Sequence, residues 1–228
     1  MKYIDDVAAA GENGLRELRV ASKDFNEVSL INGQTVLEVL SKMSESITLP
    51  TAEELFHRVE VRQKIIGAVL LARAGRITEP EIFLSLATAS DESGMHDLAL
   101  AGFACLDADT VDSFLIDILK NRPVDHRRCS MACGFLGSRN TVEAVPEIVK
   151  CMKDSQFTAI LNAFLALRSL QYEEAIPLAL DCLARGIPEP EDESAVLVRS
   201  LEIVTGQRFG NDVTTWRTWW ESASRPEK

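Results

Sequence analysis

His126, Cys129 and Cys133 stand at i, i+3 and i+7. On a helix that spacing puts an imidazole and two thiols on one face, a set able to offer three ligands to zinc. A core assignment competes with it and is the stronger: an internal repeat, set out below, pairs Cys129 with Leu98 and Ile160, and Cys133 with Phe164. Both thiols then replace apolar residues, and neither a metal nor a cofactor is expected. Cys105 pairs with Leu136, again a core position, and Cys151 and Cys182 occupy equivalent places on successive helices. Five cysteines, an odd number without framework spacing, fit a reducing compartment in which thiols behave as small core residues, so no disulfide is expected.

The chain holds no Gly-rich phosphate loop, no G-x-S-x-G elbow and no HExxH helix, and no catalytic residue is assigned. Its charge is more informative. Lys120, Arg122, Arg127, Arg128 and Arg139 cluster around one repeat, with Asp125 the only acid among them. This basic island is the candidate contact site for an acidic segment of a partner; the alternative is a solvated rim with ion pairs to adjacent repeats. Asp91 and Glu92, Asp107 and Asp109, and Glu173 and Glu174 fall at corresponding turns, with Glu189, Glu191, Asp192 and Glu193 further on. Acidic turns along one edge would steer a basic protein and speed its association.

The elements that must carry these residues are read from composition and periodicity. The 228 residues, 46% hydrophobic and 26% charged, suit a globular protein and not a disordered one. A net charge of −11 argues against nucleic acid, whose phosphates are neutralised by Lys and Arg. Asp5 and Asp6 stand where a secretory signal needs positive charge, and the runs from Ile65 to Ala72 and from Leu98 to Leu106 are too short to cross a bilayer. The expectation is a cytoplasmic protein with no membrane partner. Ala, Leu, Glu, Arg and Ile dominate without sustained period-two alternation, so the chain reads as all-α. Pro50, Pro80, Pro123, Gly137, Gly186 and Pro188 are read as helix boundaries.

Internal similarity sets the architecture. Met131-Ala132-Cys133-Gly134-Phe135-Leu136 aligns with Asn162-Ala163-Phe164-Leu165-Ala166-Leu167 at an offset of 31, and Ala144-Val145-Pro146 falls on Ala175-Ile176-Pro177. A further copy lies upstream, with Ala101 on Ala132, although its second helix, Thr110 to Lys120, matches better after slipping one residue. Two helices per unit at this period imply a solenoid, because each pair must stack on its neighbours to bury its apolar face. Asp125 to Gly137, then Ala144-Val145-Pro146-Glu147-Ile148-Val149 and Asp154, resemble the short HEAT-like repeat, including the type found in phycobilisome lyases. The resemblance implies a curved α-solenoid. The Arg usual in that repeat falls on Cys129, Leu98 and Ile160, so no Asp/Arg ladder is expected and apolar packing must hold the stack.

Leu201 to Trp220 resembles a terminal segment that follows HEAT-like repeats in many bacterial proteins, with Gly206 and Gly210 turning the chain, Asp212 capping a helix, and Trp216, Trp219 and Trp220 on one face. All three tryptophans are expected to close the last apolar face. Residues 1–50 are read as a helical N-terminal cap, with Ala9 to Glu12, Phe25-Asn26 and Asn32 to Leu37 loosely resembling one ankyrin-like unit; 51–186 hold the HEAT-like repeats; 187–228 hold an acidic loop and the Trp-rich capping helices. Among enzymes of this repeat class, deoxyhypusine hydroxylase needs His-Glu pairs, whereas here His57 precedes Arg58, His96 precedes Asp97 and His126 precedes Arg127. A DNA glycosylase would need a basic concave face. The functional expectation is a non-enzymatic module that binds another protein, one that is basic or has a basic face, in a groove led by the helices near Asp125 to Gly137 and Phe157 to Leu170. An acidic bacterial immunity-type inhibitor of a basic toxin and a lyase acting on a tetrapyrrole are the alternatives.

Overall fold

The computed structural model describes residues 2–21, 33–90, 94–121, 126–154, 159–187 and 192–223. The described residues form fourteen α-helices and one 3-10 turn, and they contain no strand, so the protein is all-α. Contacts divide the chain into two compact units, Met1–Phe114 and Leu115–Lys228. No helix among the described residues is long and apolar enough to cross a membrane.

The first unit contains α1 (Lys2–Ala9), α2 (Glu12–Ala21), α3 (Gly33–Lys42), α4 (Glu45–Phe56), α5 (Val61–Arg73), α6 (Glu81–Thr88), α7 (Met95–Phe103) and the first half of α8 (Ala108–Asn121). Its centre is α5, which packs against α3, α4, α6 and α7. A helical stretch that is apolar all round belongs inside; α5 has one from Ile65 to Ala72 and buries Ile65, Ile66, Ala68 and Val69 completely. Gly67 lets α4 approach: a Cβ there would stand 2.5 Å from the Phe56 amide nitrogen and 2.6 Å from the Ala52 carbonyl oxygen. Gly102 likewise admits the Phe83 ring, which meets Phe103 edge-on at 5.8 Å.

Two expected boundaries are instead helix interiors. Pro50 lies inside α4, where its missing amide costs one rung of the ladder. Its exposed ring meets no core, and hydroxyls on either side return to backbone carbonyls, Thr48 to Leu40 at 2.9 Å and Thr51 to Ile47 at 2.8 Å. Gly137 lies inside α9 (His126–Arg139) for a packing reason given below. Pro80 does precede α6 and Gly186 follows α12, while Pro123, Pro188, Phe25, Asn26 and Asn32 lie outside the described residues.

The second unit contains the rest of α8, then α9, a 3-10 turn (Val142–Ala144), α10 (Val145–Lys153), α11 (Ile160–Ser169), α12 (Ala175–Arg185), α13 (Asp192–Thr205) and α14 (Val213–Ala223). Contacts arrange these as two rows: α9 packs on α11 and α11 on α13, while α10 packs on α12 and α12 on α14. Pro146 occupies the first turn of α10, where no amide is needed. The turns repeat as well. Asn140 and Gln171, 31 apart in sequence, have φ of 59° and 56°. Beyond them Thr141 N–H bonds to the Leu136 carbonyl at 3.0 Å and Tyr172 N–H to that of Leu167 at 2.9 Å, the left-handed helix ending usually given to glycine. In the first unit Gly75 does the same after α5, with φ of 69° and Arg76 N–H on Leu71 at 2.8 Å. Leu106, one period beyond residue 75, is not left-handed; its amide reaches Phe103 at 3.1 Å, so the turn after α7 is built differently.

At the end of the chain Gly206 and Gly210 are both left-handed, with φ of 73° and 53°. Asp212 caps α14, accepting from the Thr215 amide at 3.1 Å and its hydroxyl at 2.7 Å, and these bonds hold its carboxyl below the usual range. The three tryptophans, all expected to close the last apolar face, differ in burial. Trp216 is fully buried, meets Phe209 edge-on at 4.9 Å and donates from Nε1 to the Gly210 carbonyl at 2.9 Å. Trp219 and Trp220 are half-buried; Trp219 leans on Phe209, and the two indoles lean on each other.

Candidate interaction surface

The cysteines lie where the core reading puts them, with one departure. Cys129, Cys133, Cys151 and Cys182 are buried, Cys105 is half-buried, and none is in a disulfide. Burial, reinforced by Cys151 and Cys129 nearby, pushes the Cys133 thiol well above its ordinary range, and burial lifts Cys182 to about 11. The described residues hold no group of three or more His, Cys, Asp or Glu arranged to bind a metal. The side chain of His126 lies outside the described residues. Cys105 departs from the core because the turn after α7 differs, and its Sγ donates to the Ala101 carbonyl at 3.2 Å.

Two of the buried thiols serve the repeat. Cys151 donates to the Leu119 carbonyl at 3.8 Å and Cys182 to that of Met152 at 3.3 Å. The acceptors belong to the last turns of α8 and α10, where carbonyls lack intrahelical donors. Arg185 adds its guanidinium to the Met152 and Asp154 carbonyls, placing positive charge at the negative end of α10. In the first row, Asn162 donates to the Ser130 hydroxyl and Ser169 to the Gly137 carbonyl, the latter at 3.0 Å.

The basic island is only partly brought together. Lys120 ends α8 and pairs with Asp117 at 3.0 Å. Arg127, Arg128 and Arg139 belong to α9, half-buried, and none lacks a partner. Arg122 and Asp125 lie outside the described residues. Sequence reading missed a neighbour, Arg168 on α11, whose buried Nε has no hydrogen-bond partner. Together α9 and α11 carry Arg127, Arg128, Arg139 and Arg168 and no carboxylate, in a chain of net charge −11. The signal was present: Arg168-Ser169-Leu170 recurs 31 residues on as Arg199-Ser200-Leu201, which also extends the repeat register into α13.

The acidic turns divide by role. Asp107 is a cap, accepting from the Thr110 amide at 2.9 Å and its hydroxyl at 2.7 Å, and these bonds lower its pKa. Asp109, Glu173 and Glu174 are exposed. Asp91, Glu92, Glu189 and Glu191 lie outside the described residues, as do the side chains of Asp192 and Glu193. In the first unit an open hollow of about 480 Å³ is lined by Arg16, Arg19, Ser46, Ile47 and Thr51 among others; Arg19 is taken up by Glu54. No known protein family, characterised protein or solved structure matches the chain.

Proposed function

We propose that the protein is a non-enzymatic, cytoplasmic interaction module: a curved, HEAT-like α-solenoid that holds another protein against the helix row α9, α11 and α13. The observation that carries this reading is the repeat-spaced bonding between successive helices, Asn162 to Ser130 and Ser169 to Gly137 in one row and Cys182 to Met152 in the other. Stacked pairs of this kind offer extended surfaces, because each added unit rotates slightly on the last. The arginines of α9 and α11, with Lys120 and Arg122, take the acidic groups of that partner, and the exposed acidic turns steer its basic face.

The charge of −11 favours one narrower version, an immunity-type inhibitor of a basic toxin. Copurification from the native host followed by mass spectrometry tests both. A stoichiometric protein partner supports the module, and a toxin-like partner, or a toxin-like reading frame beside the gene, supports the inhibitor. A coloured or metal-loaded preparation without a partner overturns both. Arg127→Glu with Arg128→Glu weakens partner binding if these arginines make the contact; unchanged affinity removes them from it.

A further inference from the structure

Ser130 and Gly137 mark the face of α9 that α11 covers: Asn162 of α11 bonds to Ser130, and a Cβ on Gly137 would stand 2.8 Å from the Ala166 Cα. Adding the 31-residue period twice carries that face to positions 192 and 199 of α13, with Ala195, Val196 and Ile203 on the same side at helical spacing. The corresponding positions two periods earlier are covered: Cys133 and Gly137 of α9 and Thr141 just beyond it are buried, and Gly134 is half-buried. On α13 they are open: Ala195, Val196 and Arg199 are exposed, and Ile203 is 74% exposed. The described helices that pack on α13 are α11 and α12, and neither covers this side.

The occupant is constrained by chemistry. Where α9 has Gly137 to admit a helix closely, α13 has an exposed Arg199, whose charge a carboxylate on the incoming helix would complement. Glu202 lies three residues on, and neither Arg199 nor Glu202 has an ion-pair partner among the described residues. We propose that the occupant is α13 of a second copy, running antiparallel. A two-fold axis between Arg199 and Glu202 brings each arginine to the glutamate of the other copy and lays Val196 and Ile203 over the seam. Such self-complementarity is what an isologous contact needs. One helix face is a small interface, so the dimer forms in a concentration-dependent way.

Sedimentation equilibrium of the whole protein tests this. The mass rises from 25.2 kDa toward twice that value with concentration. Ile203→Asp, at an exposed position that leaves the helical circular dichroism unchanged, remains monomeric over the same range. Arg199→Glu alone weakens the dimer by at least about tenfold, and the swap Arg199→Glu with Glu202→Arg restores it to within a few-fold of the original. A wild-type protein that stays monomeric at the highest concentration overturns the proposal. So does a dimer that survives Ile203→Asp, or a charge swap that fails to restore association.

Discussion

Gly137 of α9 and Ala166 of α11 touch backbone to backbone: a Cβ on the glycine would lie 2.8 Å from the alanine Cα and 3.0 Å from its Cβ. Gly137→Val must therefore separate the two helices or distort one of them. The expected loss is about 1–3 kcal/mol, typical of overpacking, read as a lower urea midpoint. A midpoint equal to wild type would mean that the helices part without cost.

Gln171 holds a left-handed backbone, φ 56°, that costs a residue with a Cβ. Gln171→Gly removes that cost at the price of a more flexible unfolded chain. The net gain is expected to be about 0.5–1 kcal/mol, and Asn140→Gly should gain less, since asparagine tolerates the region. Chemical denaturation of the two variants gives the order directly.

Trp216 and Trp219 separate by burial. Trp216→Ala removes a fully buried ring with its bond to Gly210 and should cost about 3–5 kcal/mol. Trp219→Ala, at a half-buried position, should cost clearly less. Equal losses from the two would contradict the packing around Phe209.

Glu54 accepts from Arg19 at 2.6 Å and Arg58 at 2.5 Å, and these bonds hold its pKa at about 2 against an ordinary 4.5. A depressed carboxylate stabilises the fold above its unfolded pKa, and the gain disappears as pH falls from about 4.5 to about 2. Its side chain is 41% exposed, so solvent screening limits the gain to about 1 kcal/mol or less. Wild type should exceed Glu54→Gln in stability at pH 6 and match it near pH 2; a constant difference across that range would exclude the linkage.

A thiol-reactive disulfide reagent at neutral pH should modify Cys105 first, since the other four cysteines are buried. Denaturant should then release those four together. Early labelling of Cys133 or Cys182 would mean that the second unit opens easily around them.

The helical class and the stacking register were legible in the sequence, because the period of 31 that pairs Ala132 with Ala163 lies between the separations of 32 and 30 at which Ser169 meets Gly137 and Cys182 meets Met152. Glycine and proline were less legible. Each type serves both to end a helix and to let one pass close to another, and sequence spacing does not separate Gly186, which ends α12, from Gly137, which admits α11. The tryptophans shared one helical face, but only the position aimed at Phe209 and the Gly210 carbonyl is buried. Arg168 is remote from the α9 arginines along the chain, and only the packing of α11 on α9 brings it near them.

The repeat-spaced bonds of the second unit also bear on how the chain finds its fold. Asn162 and Ser130 are 32 residues apart, Cys182 and Met152 30, and Arg185 and Asp154 31. The loops that must close are therefore short, and their closure entropy changes little from one pair to the next. Topologies built of such near-neighbour contacts fold fast. Each helix pair can dock as soon as its successor leaves the ribosome, without waiting for the far end of the chain.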